Sequence, residues 1–552
     1  MKIQLIHPPV FLNVAAMTAL RPSLPLGLAY VAASLRQAGH AVSVLDAVGQ
    51  APGQVTSGPR KKLVLLGLTP EQIVARLDAD ADAFGITNMW SFSWPVVREI
   101  CRAVKARFPH KPLVAGGEHF TGLPEFSMQQ APIDYIVAGE GEASAVELFA
   151  ALARGAARDE IAGIAGVWHR GADGEAQKSP TVRARTVDVD SIPWPAWDLF
   201  LVKAYDEHRL VNGIHFGMTV PILATRGCPY QCTYCSSPNM WTTKWYARDP
   251  KDVVDEIEHW HRTYGARNFP FHDLTAIVKK DWVLAFCREL AARPFHRDIS
   301  WQLPSGTRVE VVDDEVAEWL WRTNGRSLNY APESGSEATR KRIKKQMKDE
   351  SLLRAVKAAV KFDLNVAAFF VMGFPEDTAP DLRASVKLAR RLARDGITDL
   401  AVGFFFPIPN TALYHQLKNE GRIRLDDDFL LTPIFANEAR IADANNYSYS
   451  LSSAQLTLWR YWTLLNFYTV SFGMRPWRLL RTLWNALRGR ETSKMETYLV
   501  DVRRKIRVGL RALFGRKAAA TTTGPAPAAG AAPAAGPPGA APPRAPARSA
   551  AD

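Results

Sequence analysis

Cys228-Pro-Tyr-Gln-Cys232-Thr-Tyr-Cys235 sets three thiols within eight residues. They follow an apolar run that ends in a turn, Val220-Pro-Ile-Leu-Ala-Thr-Arg-Gly227, so the spacing predicts a loop at the end of a strand. Thiolates this close either clamp a metal centre or form disulfides. A closed zinc site takes four ligands, one more than the loop offers. A zinc knuckle completed by distant His215 or Cys287, or cysteines with no shared role, are the plain alternatives. An iron–sulfur cube held by three thiolates keeps one iron open for a small molecule, whereas a closed cluster takes four cysteines. An enzyme that brings substrate onto metal needs that open corner.

The C-x3-C-x2-C spacing resembles the signature of the radical S-adenosylmethionine (SAM) enzymes. Tyr234 directly before the third cysteine and Arg226-Gly227 before the first share in that likeness. The resemblance implies a [4Fe-4S] cluster on Cys228, Cys232 and Cys235, with the amino and carboxylate groups of SAM on the free iron. It also implies reductive cleavage of SAM to a 5′-deoxyadenosyl radical, hence an electron donor such as flavodoxin or ferredoxin.

The chain of 552 residues has room for two or three domains. Its 47% hydrophobic and 22% charged content is that of an ordinary globular protein. Outside the loop only Cys101 and Cys287 remain, so no disulfide framework exists and a reducing cytoplasm is expected. Met1-Lys-Ile-Gln-Leu-Ile-His-Pro-Pro reads as a first strand, not as a signal peptide. The net charge of +13 is uneven: from Arg475 to Lys517 thirteen Lys and Arg face only Glu491, Glu496 and Asp501. That concentration points to an anionic surface touched by one segment and away from a general nucleic-acid binder.

Residues 1–150 alternate short apolar runs (Ile3–Ile6, Ala41–Leu45, Ala83–Ile86, Leu113–Ala115, Tyr135–Val137) with amphipathic stretches (Leu26–Gln37, Thr69–Leu77, Pro95–Arg107, Ala143–Leu152). The alternation predicts a Rossmann-like parallel sheet with helices on both faces. Ligands of such sheets bind where the loops after the strands converge. Those loops carry Pro25-Leu26-Gly27, Asp46, Ser91 and Ser93, Gly116-Gly117-Glu118-His119 and Gly139-Glu140-Gly141-Glu142. In order and spacing they resemble the cobalamin-binding domain found ahead of many radical SAM cores. The resemblance implies cobalamin contacts at Pro25, Leu26, Gly27, Asp46, Ser91, Ser93, Gly116, Gly117, His119, Gly139 and Glu140. Small residues let a backbone approach a flat macrocycle. The D-x-H-x-x-G string of domains that ligate cobalt through histidine is absent, so neither His7 nor His119 is expected on cobalt.

Residues 151–215 read as a linker with a short strand pair (Ala165–Arg170, Thr181–Arg183) and the ordered Pro/Trp cluster Ile192-Pro-Trp-Pro-Ala-Trp-Asp198. From 216 to 425 six strands are expected, near Val220–Thr225, Asn268–His272, Ser300–Pro304, Ser327–Tyr330, Asn365–Val371 and Ala401–Phe406, each followed by a helix. They make a partial (β/α)6 barrel whose strand ends hold the active site. The resemblance implies SAM contacts at Tyr234, Asp273, Arg308, Glu333, Ser334, Gly373 and Glu376, with Asn410 where the family more often has glycine. A carboxylate suits a ligand that is cationic at both ammonium and sulfonium; a cap or surface acid is the plain alternative for each.

Residues 426–517 turn helical, aromatic and basic. The longest uncharged stretch, Tyr461–Met474, covers 14 residues, short of the roughly 20 that span a bilayer. Tryptophans beside Arg475, Arg478, Arg481, Arg488 and Arg490 suit an interfacial helix at the inner face of a membrane, or equally a helical cap with a tryptophan core. The Ala/Pro/Gly tail, 518–552, has almost nothing to bury and is expected to be disordered.

The two resemblances together name the cobalamin-dependent radical SAM enzymes. They imply methylation of an unactivated carbon or phosphorus centre, one SAM giving the methyl group and a second the radical that removes hydrogen from substrate. The C-terminal segment points to a hydrophobic small-molecule substrate, a lipid or tetrapyrrole. A radical oxidative cyclase or rearrangement enzyme is the alternative on the same scaffold, and a non-catalytic cobalamin or redox sensor is a third reading.

Overall fold

A computed structural model describes residues 1–16 and 21–503. The tail 518–552 and the 504–517 part of the basic region lie outside the described residues.

The N-terminal sheet has seven strands in the order Ala176–Lys178, Val167–Arg170, Tyr135–Val137, Leu113–Gly116, Ala83–Thr87, Lys2–His7 and Ala41–Asp46. The five expected strands all run parallel. Their short unbroken apolar runs are buried because helices cover both faces: Leu26–Gln37 and Gly141–Ala153 contribute to one core, Trp94–Arg107 to another. The strand pair expected in the connector extends this sheet antiparallel to Tyr135–Val137. Its second member is Ala176–Lys178 and not Thr181–Arg183. The reason is the tight turn Gly171-Ala-Asp-Gly174, where Gly171 donates to the Glu175 carbonyl at 2.7 Å and Gly174 takes φ +85°; an Asp-Gly turn returns the chain at once. A small antiparallel sheet of Val10–Asn13, Leu63–Leu66 and Val55–Ser57 was not foreseen.

The second sheet is five parallel strands in chain order: Asn268–Pro270, Ser300–Thr307, Gly325–Glu333, Asn365–Met372 and Asp399–Phe404. The sixth expected strand joins only through parallel bridges at Thr219–Asn268 and Ile222–Phe271. Val220 and Ile222 donate to the Asn268 and Pro270 carbonyls there, both at 3.0 Å, and Pro221 sits between them where its missing N–H faces away from that neighbour. Beyond it Thr225–Arg226 pairs antiparallel with Tyr246–Ala247, which delivers the cysteine loop to the strand-end side of the barrel.

The helix Ser453–Met474 packs on the barrel helix Ala379–Asp395 with Leu456 and Phe467 fully buried. Here the tryptophan-rich segment is a cap along part of one face. Pro476–Arg488 follows as a separate helix. Among the described residues no helix is long and apolar enough to cross a membrane.

Candidate functional site

The cysteine loop is fixed by backbone contacts to three neighbouring segments. Gly227 has φ +89°, and a Cβ there would collide with the Lys244 carbonyl oxygen; only glycine tolerates both conditions. Thr233 donates from its backbone N–H to the Ile343 carbonyl and accepts from the Leu413 N–H, both at 3.1 Å. The Cys235 N–H closes a turn on the Cys232 carbonyl at 3.2 Å, and the Cys232 thiol faces the Lys344 carbonyl at 3.8 Å. Burial pushes the Cys228 thiol up and the Cys235 thiol up to about 12, with the neighbouring thiols adding to both. Three such thiolates coexist only against positive charge, which iron supplies.

The residues fit a cluster better than a zinc ion. Among the described residues no three His, Cys, Asp or Glu side chains gather around one point as ligands of a single ion. His215 is bound to Asp206 at 2.9 Å, and Cys287 is sealed in the barrel core beside the Thr323 hydroxyl at 3.7 Å. Neither completes a knuckle. A cube places one iron under each thiolate and so asks for wider spacing than a single ion.

Around this loop the expected SAM residues separate into two groups. Tyr234 donates its hydroxyl to Glu333 at 2.8 Å, and Lys345 reaches the same carboxylate oxygen at 3.2 Å. Burial first, and then the Glu333 charge, hold the Tyr234 phenol well above its usual range. Glu333 carries φ +63°, a strained conformation for a non-glycine residue that collects at functional sites. The Arg308 guanidinium lies 3.6 Å from the ring centre of Tyr230, inside the cysteine loop, while bonding Glu310 and the Gln346 carbonyl. Gly373, at φ +87°, donates to Asp377 at 3.1 Å. Asn410 also takes positive φ, +64°, which asparagine tolerates best after glycine.

Three of the expected residues are engaged elsewhere. Asp273 uses both oxygens on Ala224 N–H, Thr225 N–H and the Thr225 hydroxyl, at 3.2, 2.5 and 2.6 Å. It braces the strand that leads to the loop, and burial lifts its carboxyl to about 6. Glu376 is exposed and pairs with Arg342 at 3.4 Å. Ser334 is buried against Ser385 at 3.3 Å and caps Ser336.

The N-terminal loops sort in the same way. At Gly27 and Gly139 a Cβ would meet nothing within 4 Å, and at Gly116 only the Val137 carbonyl at 3.6 Å. These positions leave the strand-end loops open, and buried polar atoms of Asn88 and Ser93 have no partner there, a lining compatible with a macrocycle that carries polar side arms. Pro25 and Leu26 open the helix that carries Gly27. Gly117 takes φ +110°, its missing Cβ 2.7 Å from the Asn88 carbonyl. Three other expected contacts are engaged within the protein, although the second carboxylate oxygen of Asp46 is buried without a partner. Asp46 binds His7, Tyr205 and the Gly49 N–H at 2.7, 3.0 and 3.0 Å. His119 lies under Trp94 at 4.9 Å between ring centres, with its nitrogens 3.0 Å from Ser91 and 3.2 Å from Ser127; burial drives it down to about 3. It positions Ser91. Glu140 is buried between Arg185 at 3.1 Å and Arg226 at 3.6 Å.

Glu140 leads to what sequence reasoning missed. Arg226, two residues before Cys228, is buried and bonds Glu142 at 2.5 Å, with its guanidinium 5.2 Å from the ring centre of Tyr30. Burial works to raise the Glu142 carboxyl, and Arg226 overrides it to hold the group below the usual carboxylate range. On the other flank Ser236, directly after Cys235, donates to Glu118, whose carboxyl burial pushes up. Both ends of the cysteine loop are thus tied to loops at the carboxyl ends of the N-terminal sheet. The signal was in the sequence as three glutamates beside glycines, but their partners lie 84 and 118 residues away.

Two family models match the chain: the B12 binding domain over residues 13–149 and the radical SAM superfamily over 222–389. An uncharacterized methyltransferase of Pyrococcus horikoshii is 29% identical over 72% of this chain and 79% of its own length. The anaerobic magnesium-protoporphyrin IX monomethyl ester cyclase of Synechocystis sp. is 28% identical over 68% of this chain and 70% of its own. The fold is similar to that of the radical SAM methyltransferase TsrM from Kitasatospora setae, solved with cobalamin and a [4Fe-4S] cluster bound, at a TM-score of 0.59, 17% identity and coverage of 85% of this chain and 88% of that one. A B12-binding sheet followed by a partial barrel with a three-thiol loop is the layout of a two-cofactor radical enzyme. The chain joins a B12-binding domain to a radical SAM domain, the arrangement of the cobalamin-dependent radical SAM enzymes, with cobalamin, SAM and a [4Fe-4S] cluster as cofactors.

The clamp yields a prediction. Glu142→Gln leaves the Arg226 charge buried with only the longer Glu140 contact, and should lower the unfolding free energy of the apoprotein by about 3 kcal/mol. In a double-mutant cycle, Glu142→Gln with Arg226→Gln should cost clearly less than the two single changes summed. Additive costs would mean that the pair carries no coupling.

Proposed function

We propose that this enzyme transfers a methyl group from SAM to an unactivated carbon of a hydrophobic small molecule. One observation carries the reading: the tie of both flanks of the cysteine loop to the cobalamin-side loops, through Arg226–Glu142 and Ser236–Glu118. It supports a reading in which the two cofactors lie close to one another, as transfer between them requires.

In this reading Cys228, Cys232 and Cys235 hold the cluster. Glu333 receives the ammonium of SAM, oriented by the Tyr234 hydroxyl and Lys345, while Arg308 stiffens the loop through Tyr230 and Gly373 lets the backbone approach. Pro25, Leu26, Gly27, Ser91, Ser93, Gly116, Gly117 and Gly139 form the cobalamin cradle. When bound, the cofactors supply reductive SAM cleavage and methyl transfer; the protein contributes placement and exclusion of water. Glu118, buried and close to Cys235, keeps a polar side chain at the seam between the two sites. An external electron donor reduces the cluster, and peripheral contact with a membrane gives access to the substrate. The similarity to the protoporphyrin ester cyclase favours one second reading, oxidative cyclisation without methyl gain.

Methyl-labelled SAM supplied to anaerobically reconstituted enzyme with a lipid extract should leave label in a lipid product. Oxidised product without label would favour cyclisation. Cys232→Ala should remove the cluster absorption and the formation of 5′-deoxyadenosine together.

Gly27→Ala tests the cradle. With open space at its Cβ and a helical position, the change should leave the cofactor-free protein as stable or up to about 1 kcal/mol more stable. Cobalamin retained on purification should fall. Undiminished cobalamin would remove Gly27 from the contact set.

A further inference from the structure

The helix Pro476–Arg488 is built inside out. Its polar side chains turn inward: Arg478 donates to the carbonyls of Ile397 at 3.0 Å and Gly396 at 2.8 Å, and Asn485 is buried and donates to Glu496 at 3.0 Å. Arg475, just ahead of it, bonds the carbonyls of Ala393 and Arg394 at 3.1 Å. These four carbonyls close the C-terminal end of the helix Ala379–Asp395, whose unpaired acceptors and partial negative charge attract guanidinium. The cations rivet the helix in place and leave its apolar arc outward. Trp477, Leu480, Leu483, Trp484 and Leu487 are 51–70% exposed, and at 3.6 residues per turn they occupy one side of the helix. On the preceding helix Leu458, Trp462 and Leu465 are exposed as well. Arg481 and Arg488 border the arc, and the Arg488 guanidinium lies 4.0 Å from the Trp484 ring centre. From Ser453 to Arg490 there is no Asp or Glu.

We propose that this face docks on a bilayer carrying anionic lipid headgroups. Trp477, Leu480, Trp484 and Leu487 enter the headgroup boundary while Arg481 and Arg488 meet phosphates. The inference rests on the peripheral-contact reading above and names its surface and the charge of its partner. The absence of acid on these two helices favours one occupant, although Asp363 of the barrel lies by Arg478 and Arg481. Two copies face to face would set cationic rim against cationic rim with no acid on either helix to neutralise them, whereas an anionic bilayer neutralises the rim and covers the tryptophans.

The test is flotation of the full-length, anaerobically reconstituted enzyme with vesicles of phosphatidylcholine alone or mixed equally with phosphatidylglycerol. Wild type should float with the mixed vesicles and bind the neutral ones about tenfold less. Leu480→Glu with Trp484→Glu, both at exposed positions, should reduce binding to mixed vesicles by about tenfold or more, with 5′-deoxyadenosine formation unchanged. Wild type that stays unbound, equal binding by the double variant, or a wild-type dimer that the variant abolishes would each overturn the proposal. Flotation without methyl transfer would support the docking face and count against the methyl-transfer reading.

Discussion

The buried Arg226–Glu142 pair is the constraint on which the site depends. An arginine charge taken from water is tolerated only with a close carboxylate partner, and both carboxylates offered to Arg226 come from one loop of the N-terminal sheet. Arg226 is also the last residue of the short strand that launches the cysteine loop. Satisfying one charge therefore fixes where the three thiols stand relative to the B12-binding sheet. The Ser236–Glu118 contact on the far flank removes the remaining freedom to pivot.

Much of this architecture was legible. The five parallel strands could be read because strands covered on both faces become unbroken apolar runs. The cysteine loop could be read because ligand spacing is a local property. The sixth barrel strand was legible in position: Val220 and Ile222 bond the Asn268–Pro270 strand on either side of Pro221, whose missing N–H falls on the outer edge. The hairpin after Arg170 closes earlier than the β-branched Thr181-Val182 suggests, because Asp173-Gly174 turns the chain at once.

Site residues were legible by type and less so by direction. Asp46, His119, Glu140, Asp273 and Glu376 lie at or just beyond strand ends, but strand periodicity ends where a loop begins, so nothing in the sequence says which way each points. Asp46 and Asp273 turned to nearby backbone N–H groups, as buried carboxylates do when such donors are in reach. Glu140 and Glu142 turned to arginines that only the folded chain brings near. The aromatic C-terminal segment shows the same limit: composition gave its tryptophans, whereas the structure separates a buried seam at Leu456 and Phe467 from an exposed arc at Trp477 and Trp484.

The central claim is that the two cofactors share one cavity. Electron paramagnetic resonance of the anaerobically reconstituted enzyme, with cobalt(II) cobalamin and the one-electron-reduced cluster present together, tests it most directly. The account predicts signals split or broadened by mutual spin coupling. Two signals that superimpose on those of the separately loaded forms would contradict it.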